Sequence, residues 1–320
     1  MNIVSTDNTK LYPAEAKTAR DRALRAAQNA GLEITPKDTL RFVPKSRIIL
    51  RGVLAGQEIV LRMPLSPKGL KGMTKEWAEL TRAHVYMAEG PYQVVRPIHF
   101  DPENGLTVIA FVPGTPLMKH LKQLGKPLRA ATYAEAGHWL QTYISPTMTT
   151  RPANPRHWLQ KAKTAMDAQP HERLREVENR IFRQMRHLSK QIGTEDWTVA
   201  ITHSDFHPNN LILSETGLVG IDTGGSAMAP VAKDLARSLT HMARRGVMFG
   251  KSRRFGMDAL ALDALRQNMD LPAKVWDLHL PFMLCFETLF RVEHPDMPPA
   301  RLDHALEMAT GLLRDLRQIS

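Results

Sequence analysis

The chain has 320 residues, a formal net charge of +11 at pH 7 and a single cysteine. A chain of this length buries a large core and is expected to form two lobes or domains. One cysteine excludes an intrachain disulfide and a cysteine-based metal cluster. No apolar run approaches the ~18 residues that span a bilayer, and the first 17 residues lack the pattern of a signal peptide. The sequence therefore predicts a cytoplasmic protein.

The excess of positive charge has three interpretations: nucleic-acid binding, an acidic substrate, or a basic surface without a ligand. Lysine and arginine are spread along the whole chain, and no known nucleic-acid-binding module is present. An anionic small-molecule substrate is therefore favoured weakly over a solvated basic surface. Nucleic-acid binding rests on charge alone.

The N-terminal part predicts a helix followed by strands. Residues 13–30 are rich in Ala and Arg, with Pro13 in the first turn and Gly31 at the end. Between residues 32 and 63 the runs TLRFV, SRIILRGVL and QEIVLRM have the composition of strands, and Ala55-Gly56 is the expected turn between the last two. The pattern indicates an antiparallel sheet.

A second helix is predicted over residues 71–89, with Thr74 as its cap, and two further strands over 92–100 and 106–112. From residue 116 onward the chain is predicted to be mostly helical, with a linker over 147–155. The lone Cys285 lies in the apolar run PFMLCFETLF and is expected to be a small core residue.

The densest polar motif lies between residues 201 and 225, ITHSDFHPNNLILSETGLVGIDTGG. Short apolar runs around it predict buried strands joined by a hairpin, followed by a loop over 226–230. This arrangement is expected to bring Asp205, Asn210 and Asp222 to one edge. Asn and Asp oxygens can hold Mg²⁺, while the remaining Asp orients or deprotonates an attacking hydroxyl. The motif therefore suits phosphoryl transfer.

The pattern His203-x-Asp205-x-x-x-x-Asn210, followed by Ile221-Asp222, resembles the catalytic and metal-binding loops of the aminoglycoside phosphotransferase and choline kinase family. Protein kinases carry H-R-D-x-x-x-x-N and then D-F-G. This chain has Ser204 in place of the arginine and Thr223 in place of the phenylalanine. Its His207-Pro208 pair is typical of the small-molecule kinases.

The resemblance implies an α+β, protein-kinase-like fold with two lobes. Residues 1–112 would form the nucleotide-binding lobe, an antiparallel sheet with a helix, and residues 113–320 the larger, mostly helical lobe for catalysis and acceptor binding. It also implies ATP and Mg²⁺ as cofactors. Asp205 would accept the proton of the acceptor hydroxyl, and Asn210 and Asp222 would hold the metal ion.

The resemblance further assigns residues around the nucleotide. Arg62 stands where the family has a lysine on the third strand, and an arginine fork is not interchangeable with an ammonium. Glu76 matches the helix glutamate that pairs with that cation, and Glu79, one turn later, is the alternative. Ser46 lies where protein kinases place a glycine-rich loop, although the chain has no G-x-G-x-x-G.

Two more segments match the family. Ala110, Phe111 and Val112 correspond to the hinge between lobes, where adenine is usually held by backbone groups. Asp234, in Lys233-Asp234-Leu235-Ala236, corresponds to an aspartate at the start of a helix that hydrogen-bonds the backbone of the catalytic loop.

The acceptor is expected to be acidic or phosphorylated. Between Val231 and Arg254 there are seven Lys or Arg residues and one acidic residue, whereas kinases for polycationic antibiotics usually line this region with carboxylates. A choline site would need more aromatic side chains than Phe249 and Phe255. A solvated basic face stays open as the simpler explanation.

The sequence thus predicts a kinase that moves the γ-phosphoryl group of ATP to a hydroxyl of a small, anionic molecule. The alternatives are a catalytically weak nucleotide-binding protein of the same fold, favoured by Arg62 and the missing glycine loop, and a basic nucleic-acid-binding protein. Neither the identity of the acceptor, nor the preference between ATP and GTP, nor the oligomeric state follows from the sequence.

Overall fold

A computed structural model describes residues 8–224 and 227–318. The expectation about a signal peptide, which concerns the first 17 residues, falls partly on residues outside this part, and the expected loop over 226–230 begins outside it. The chain divides into two compact units. The first holds the described residues of Met1–Gly114 and Ile212–Ser226, and the second those of Thr115–Leu211 and Ala227–Ser320.

The α-helices are, in chain order, α1 Asn8–Leu11, α2 Pro13–Asn29, α3 Pro67–His84, α4 Leu117–Gln123, α5 Lys126–Ile144, α6 Pro155–Met166, α7 Glu172–Ile192, α8 Ala232–Ala243, α9 Ala259–Gln267, α10 Leu280–Phe290 and α11 Pro299–Leu316. Short 3₁₀ turns cover Ser145–Thr147 and Pro208–Asn210, and a π-helical turn covers Val275–His279. None of the described helices combines the length and apolar character that a membrane crossing requires.

The strands are β1 Ile34–Val43, β2 Arg47–Leu54, β3 Gln57–Pro64, β4 Tyr92–Val94, β5 Pro97–Asp101, β6 Leu106–Ala110, β7 Thr115–Pro116, β8 Thr149–Pro152, β9 Asp196–Thr202, β10 Leu211–Ser214, β11 Gly217–Gly220, β12 Ala227–Pro230, β13 Arg253–Arg254 and β14 Met257–Asp258.

The first unit is built on a five-stranded antiparallel sheet in the order β1-β2-β3-β6-β5. The expected turn at Ala55-Gly56 is confirmed, because both residues have positive φ angles of 48° and 79°, as a type I′ hairpin requires. Helix α2 packs small alanine side chains onto the apolar core of the sheet, which includes Ile59 and Leu61 on β3. Strand β3 is central in this sheet, because it hydrogen-bonds to β2 on one side and to β6 on the other.

Three predicted boundaries in this unit are wrong. Helix α3 begins at Pro67, not residue 71, because the hydroxyl of Ser66 accepts a hydrogen bond from the Gly69 N–H and caps it. The strand predicted over 92–100 is two strands, of which β4 pairs with β11 and β5 with β6. The strand predicted to reach Val112 ends at Ala110, close to Pro113, which cannot donate to a ladder.

The second unit is mostly helical around the buried helix α10, which packs against α6, α7 and α8. Cys285 on α10 is fully buried, as predicted, and burial raises the pKa of its thiol. The π-helical turn Val275–His279 precedes Pro281, whose missing N–H and ring are incompatible with a regular helical turn before it.

A small antiparallel sheet, β8-β9-β12, completes the second unit. Its outer strands correct the sequence analysis, because β8 lies in the predicted linker and β12 in the predicted loop. Both are four-residue edge strands, and they end in Pro152 and Pro230. Because proline is uncommon inside strands, the sequence of these segments does not predict a strand.

Aromatic stacking joins helix α5 to the segment that follows β9. The ring of Trp139, which is fully buried, stacks on Phe206 at 5.9 Å and on Tyr143 at 5.2 Å between centroids. It also meets the ring of His203 edge-on at 5.9 Å. The residues on both sides of Asp205, His203 and Phe206, therefore pack directly against the buried ring of Trp139.

Replacing Trp139 by alanine is expected to lower the free energy of unfolding by about 3–5 kcal/mol, since it removes a large buried ring and leaves a cavity. Leu128→Ala on the same helix is the control. Its side chain is 59% exposed, so its effect should stay within about 0.5 kcal/mol. Urea unfolding followed by circular dichroism measures both, and equal effects would contradict the packing described.

Candidate functional site

The predicted catalytic motif forms a loop after β9 in the second unit. Ser204, between His203 and Asp205, has a φ of 67°, a left-handed conformation that is rare for residues other than glycine. Such a backbone persists only where the surroundings hold it in place, and it is common at functional sites. The contacts that hold Ser204 come from helix α8.

The first turn of α8 binds the backbone of this loop. The carboxylate of Asp234, fully buried, accepts hydrogen bonds from the N–H groups of His203 at 2.6 Å and Ser204 at 2.9 Å. The ammonium group of Lys233 donates to the carbonyl of Ser204 at 3.1 Å. The expected role of Asp234 is confirmed. Burial raises the pKa of Asp234, and the charge of Lys233 opposes that shift.

One turn further along α8, Arg237 contacts Asp205. Nε of Arg237, whose side chain is 1% exposed, donates to Oδ1 of Asp205 at 2.7 Å. Arg291, just after α10, approaches the same oxygen at 3.5 Å. Nε2 of His207 lies 3.5 Å from the other carboxylate oxygen of Asp205. The ring of His207 is neutral, because burial lowers its pKa.

These contacts keep Asp205 ionised. Burial alone would raise the pKa of Asp205, but the hydrogen bond from His207 and the charge of Arg237 outweigh it. The charge of Arg291 acts in the same direction, so the pKa lies well below its usual range. The carboxylate is nevertheless 39% exposed. It is thus a fixed negative charge that a ligand can reach, and a weak base.

The side chain of Asn210, a predicted metal ligand, is held by a hydrogen bond within the loop. Its amide Nδ2 donates to the backbone carbonyl of Asp205 at 3.0 Å, which leaves the amide oxygen without a hydrogen bond among the described residues. Oxygen donors of this kind fit a hard cation such as Mg²⁺, which keeps several waters and needs few protein ligands. No group of three His, Cys, Asp or Glu residues in 8–224 and 227–318 could hold a metal by itself.

In the first unit, Asp222 follows β11 and also has a left-handed backbone, with a φ of 61°. Its carboxylate, 38% exposed, accepts a hydrogen bond from Arg62 on β3 at 2.9 Å. Arg62 also donates to Glu76 on α3 at 3.3 Å. Glu79 instead binds Arg82 in two hydrogen bonds, so of the two glutamates only Glu76 contacts Arg62.

Gly224 allows this arrangement to be compact. A Cβ atom at Gly224 would lie 2.5 Å from Cγ and Cδ of Glu76, closer than side chains tolerate. The glycine two residues after Asp222 is thus required by the position of Glu76, and not by the turn alone.

A cavity of about 310 Å³ in the first unit brings several of the predicted residues together. Ser46, Arg62 and Glu76 line it, along with the cationic side chains of Arg47 and Lys68. The sequence analysis did not assign a role to Arg47 or Lys68. Lys68 lies in the first turn of α3, directly after the Ser66-Pro67 start signal, and this is the sequence feature that indicates it.

The hinge segment is partly occupied by contacts within the unit. The N–H groups of Ala110 and Phe111 donate to the carbonyls of Arg96 and Glu58 at 2.9 and 3.0 Å. The guanidinium of Arg51 covers the ring of Phe111 at 4.0 Å. Two of the three N–H groups of the predicted hinge are therefore already bonded within the first unit.

The structure thus assembles the predicted residues in two sets. Arg62, Glu76 and Asp222 meet in the first unit, and Ser46 shares a cavity with two of them. Asp205 and Asn210 meet in the second unit. The convergence of both sets on one metal–nucleotide complex remains a prediction.

A family model described as the phosphotransferase enzyme family matches residues 47–267. The chain therefore belongs to this family. No curated protein matches the sequence at a significant level.

Solved structures share the fold at low identity. Choline kinase LicA from Streptococcus pneumoniae is 16% identical, with a TM-score of 0.59 over 92% of this chain and 99% of that one. A putative aminoglycoside phosphotransferase from Ralstonia eutropha is 15% identical, with a TM-score of 0.61 over 93% and 98%. Amicoumacin kinase hAmiN, in complex with AMP-PNP, Ca²⁺ and Ami, is 12% identical, with a TM-score of 0.58 over 95% and 99%. These likenesses confirm the predicted α+β, protein-kinase-like fold.

Replacing Asp234 by alanine should lower the free energy of unfolding by about 2–4 kcal/mol, because one buried and one partly buried N–H group lose their acceptor. Asp234→Asn keeps one acceptor oxygen and should lose less. Asp167→Ala is the control, since Asp167 is 58% exposed and pairs only with Lys163 on the surface. Thermal unfolding compares the three, and an Asp234→Ala variant as stable as the control would contradict the role of this bond.

Proposed function

We propose that this protein is an ATP-dependent kinase that transfers the γ-phosphoryl group to a hydroxyl of a small, anionic acceptor. Family membership supports phosphoryl transfer. The observation that carries the proposal is the state of Asp205, a reachable carboxylate held ionised by Arg237 and placed beside the oriented amide of Asn210. Nucleotide complexes of solved relatives, with AMP-PNP or ATP, support ATP as the donor.

In this proposal Arg62 contacts the phosphates of ATP and Glu76 orients it. Arg47 and Lys68, which line the same cavity as Ser46, add positive charge for the phosphate groups. The backbone beside Val112 receives adenine. Asn210 and Asp222 would hold Mg²⁺, which when bound would neutralise charge on the phosphate oxygens. For Asp222 this requires that its ion pair with Arg62 be released or shared.

Asp205 orients the acceptor hydroxyl in line with the γ-phosphate and accepts its proton as the transfer completes. A carboxylate with a low pKa is a poor base for early deprotonation. It suits a loose transition state, in which the hydroxyl needs little activation until bond formation is advanced. Arg237 fixes the position of the carboxylate, and catalysis arises mainly from positioning.

The alternative is a protein of this fold that binds nucleotide without efficient transfer. The ion pair between Arg62 and Asp222 favours this alternative. In that pair Arg62, which stands where the family has a lysine, binds the carboxylate that is the proposed metal ligand. Measuring ADP formation over a panel of hydroxyl-bearing metabolites, acidic ones first, separates the two. Nucleotide binding without transfer to any member would support the alternative.

Asp205→Asn should lower turnover by about 10²–10⁴-fold while nucleotide affinity stays within about twofold, since the change removes the proton acceptor and not a phosphate contact. The control is Asp196→Asn, an exposed carboxylate on β9. ADP release and binding of a fluorescent ATP analogue measure the two properties. Turnover near that of the wild type would refute the role of Asp205.

Asp222→Asn should weaken nucleotide binding in the presence of Mg²⁺ by at least about tenfold, in line with the cost of disturbing a metal site, and leave metal-free binding little changed. Asparagine is chosen because it tolerates the left-handed backbone of Asp222. Asp38→Asn, an exposed position on β1, is the control. Calorimetric titrations with and without Mg²⁺ test this, and an equal loss in both would assign Asp222 a structural role only.

A further inference from the structure

The basic segment predicted from the sequence divides into paired and unpaired cations. Arg253 pairs with Glu307 and Arg254 with Asp263 near the surface. Arg244 is buried and pairs with Glu293 at 2.7 Å. Arg245, the next residue, has no carboxylate within ion-pair distance in the described ranges. The solvated basic face suggested by composition therefore accounts for only part of the segment.

Arg245 continues a line of side chains that begins at Asp205. Arg237, His241 and Arg245 are spaced by four residues along and just beyond α8, so they share one face of the helix. Arg237 contacts Asp205, and the ring of His241 stacks on His207 at 3.9 Å. The guanidinium of Arg245 donates to the carbonyl of His241 at 3.1 Å, a contact that does not neutralise its charge.

A second unpaired guanidinium comes from the first turn of α11. Arg301 is half-buried, and its Nε is buried without a hydrogen-bond partner among the described residues. Helix α11 packs against α8. The ring of His304 on α11 lies over Gly246, just beyond α8, and a Cβ atom at Gly246 would be only 2.4 Å from Nε2 of that ring. Arg301 lies one turn before His304, beside the end of α8 that carries Arg245.

The charges in this cluster do not balance. The cluster holds five guanidinium groups and three carboxylates that pair with or lie near them. The guanidinium groups are those of Arg237, Arg244, Arg245, Arg291 and Arg301, and the carboxylates are those of Asp205, Glu287 and Glu293. Burial raises the pKa of Glu178 to about 7, so that carboxyl adds only part of a charge. His207 and His241 are neutral, because burial lowers the pKa of each.

Arg245 bears the consequence of this imbalance. Burial lowers its pKa to about 9, and the neighbouring charges of Arg301 and Arg237 act in the same direction. Half-buried guanidiniums that repel one another are unfavourable unless an anion joins them. Each guanidinium can also bind a phosphate group through two parallel N–H donors.

We propose that Arg245 and Arg301 form a binding site for a phosphate group carried by the acceptor, so that the substrate is itself a phosphomonoester. The inference rests on the proposed function, since it places this site on the same helix face as Arg237, which holds the carboxylate that receives the acceptor hydroxyl. Eight residues separate Arg237 from Arg245, or about 12 Å along the helix. The acceptor's phosphate and its reacting hydroxyl should therefore lie at most about that far apart.

Phosphate binding tests the site without any turnover. Inorganic phosphate is titrated into the full chain at constant ionic strength, with chloride as the reference, and binding is followed by calorimetry and thermal unfolding. We expect the Arg245→Met/Arg301→Met double variant to bind phosphate at least tenfold more weakly than the wild type. Arg266→Met should keep the response, because Arg266 lies on the surface, pairs with Asp277 and belongs to neither proposed site. No response in the wild type, or an unchanged response in the double variant, would overturn the proposal.

The stability of the variants separates a ligand site from a structural role. Without phosphate, Arg245→Met and Arg301→Met should melt at or above the wild-type temperature, since each removes an unpaired, half-buried charge. Arg244→Met, which breaks the buried pair with Glu293, should melt several degrees lower. If the first two variants lose as much stability as Arg244→Met, their charges serve the fold and the proposal is wrong.

An acceptor panel distinguishes this inference from the proposed function. Sugar monophosphates, the same sugars without phosphate, and sugar acids are compared by ADP release. Transfer that favours the phosphorylated members, with KM raised at least tenfold in the double variant, supports the site. If the enzyme transfers to neutral sugars, and the double variant transfers to them equally well, the proposed phosphate site is wrong and the kinase proposal stands. A retained phosphate response without transfer to any member would count against the kinase proposal alone.

Discussion

The arrangement of the second unit depends on the buried carboxylate of Asp234 and the two backbone N–H groups it accepts. These bonds hold the backbone of His203 and the left-handed conformation of Ser204. Without them one buried and one partly buried donor would lack partners. The same helix then presents Arg237 to Asp205. One helix thus fixes both the backbone of the loop over His203–Asp205 and the direction of the Asp205 carboxylate, so a small shift of α8 would displace both together.

Arg62 has a comparable place in the first unit. On a central strand, it joins Glu76 on α3 to Asp222 after β11, and Gly224 gives the glutamate the room it needs. A planar guanidinium can hold two carboxylates at once, whereas an ammonium is a single point of charge. An arginine at this position, where the family resemblance implies a lysine, therefore joins both carboxylates of the proposed nucleotide site before any ligand binds.

The local parts of this structure could be predicted from the sequence, and the long-range pairings could not. The spacing from His203 to Asp222 and the turn at Ala55-Gly56 are local signals that specify a loop or a hairpin directly. The start of α3 was missed because Gly69 and Gly72 weaken the helical pattern, although Ser66-Pro67 is a strong start signal. The contact of Arg237 with Asp205 joins residues 32 apart, and no periodicity in the sequence indicates which arginines lack a carboxylate.

The single thiol has a practical consequence. Cys285 is fully enclosed in helix α10, and its raised pKa keeps it protonated, whereas alkylating reagents attack the thiolate. In the native protein it should thus be inert, and its labelling would report only molecules in which α10 has opened. A cysteine introduced on the surface would then be the only reactive one, so a fluorophore can be attached at a chosen residue without first removing the native thiol.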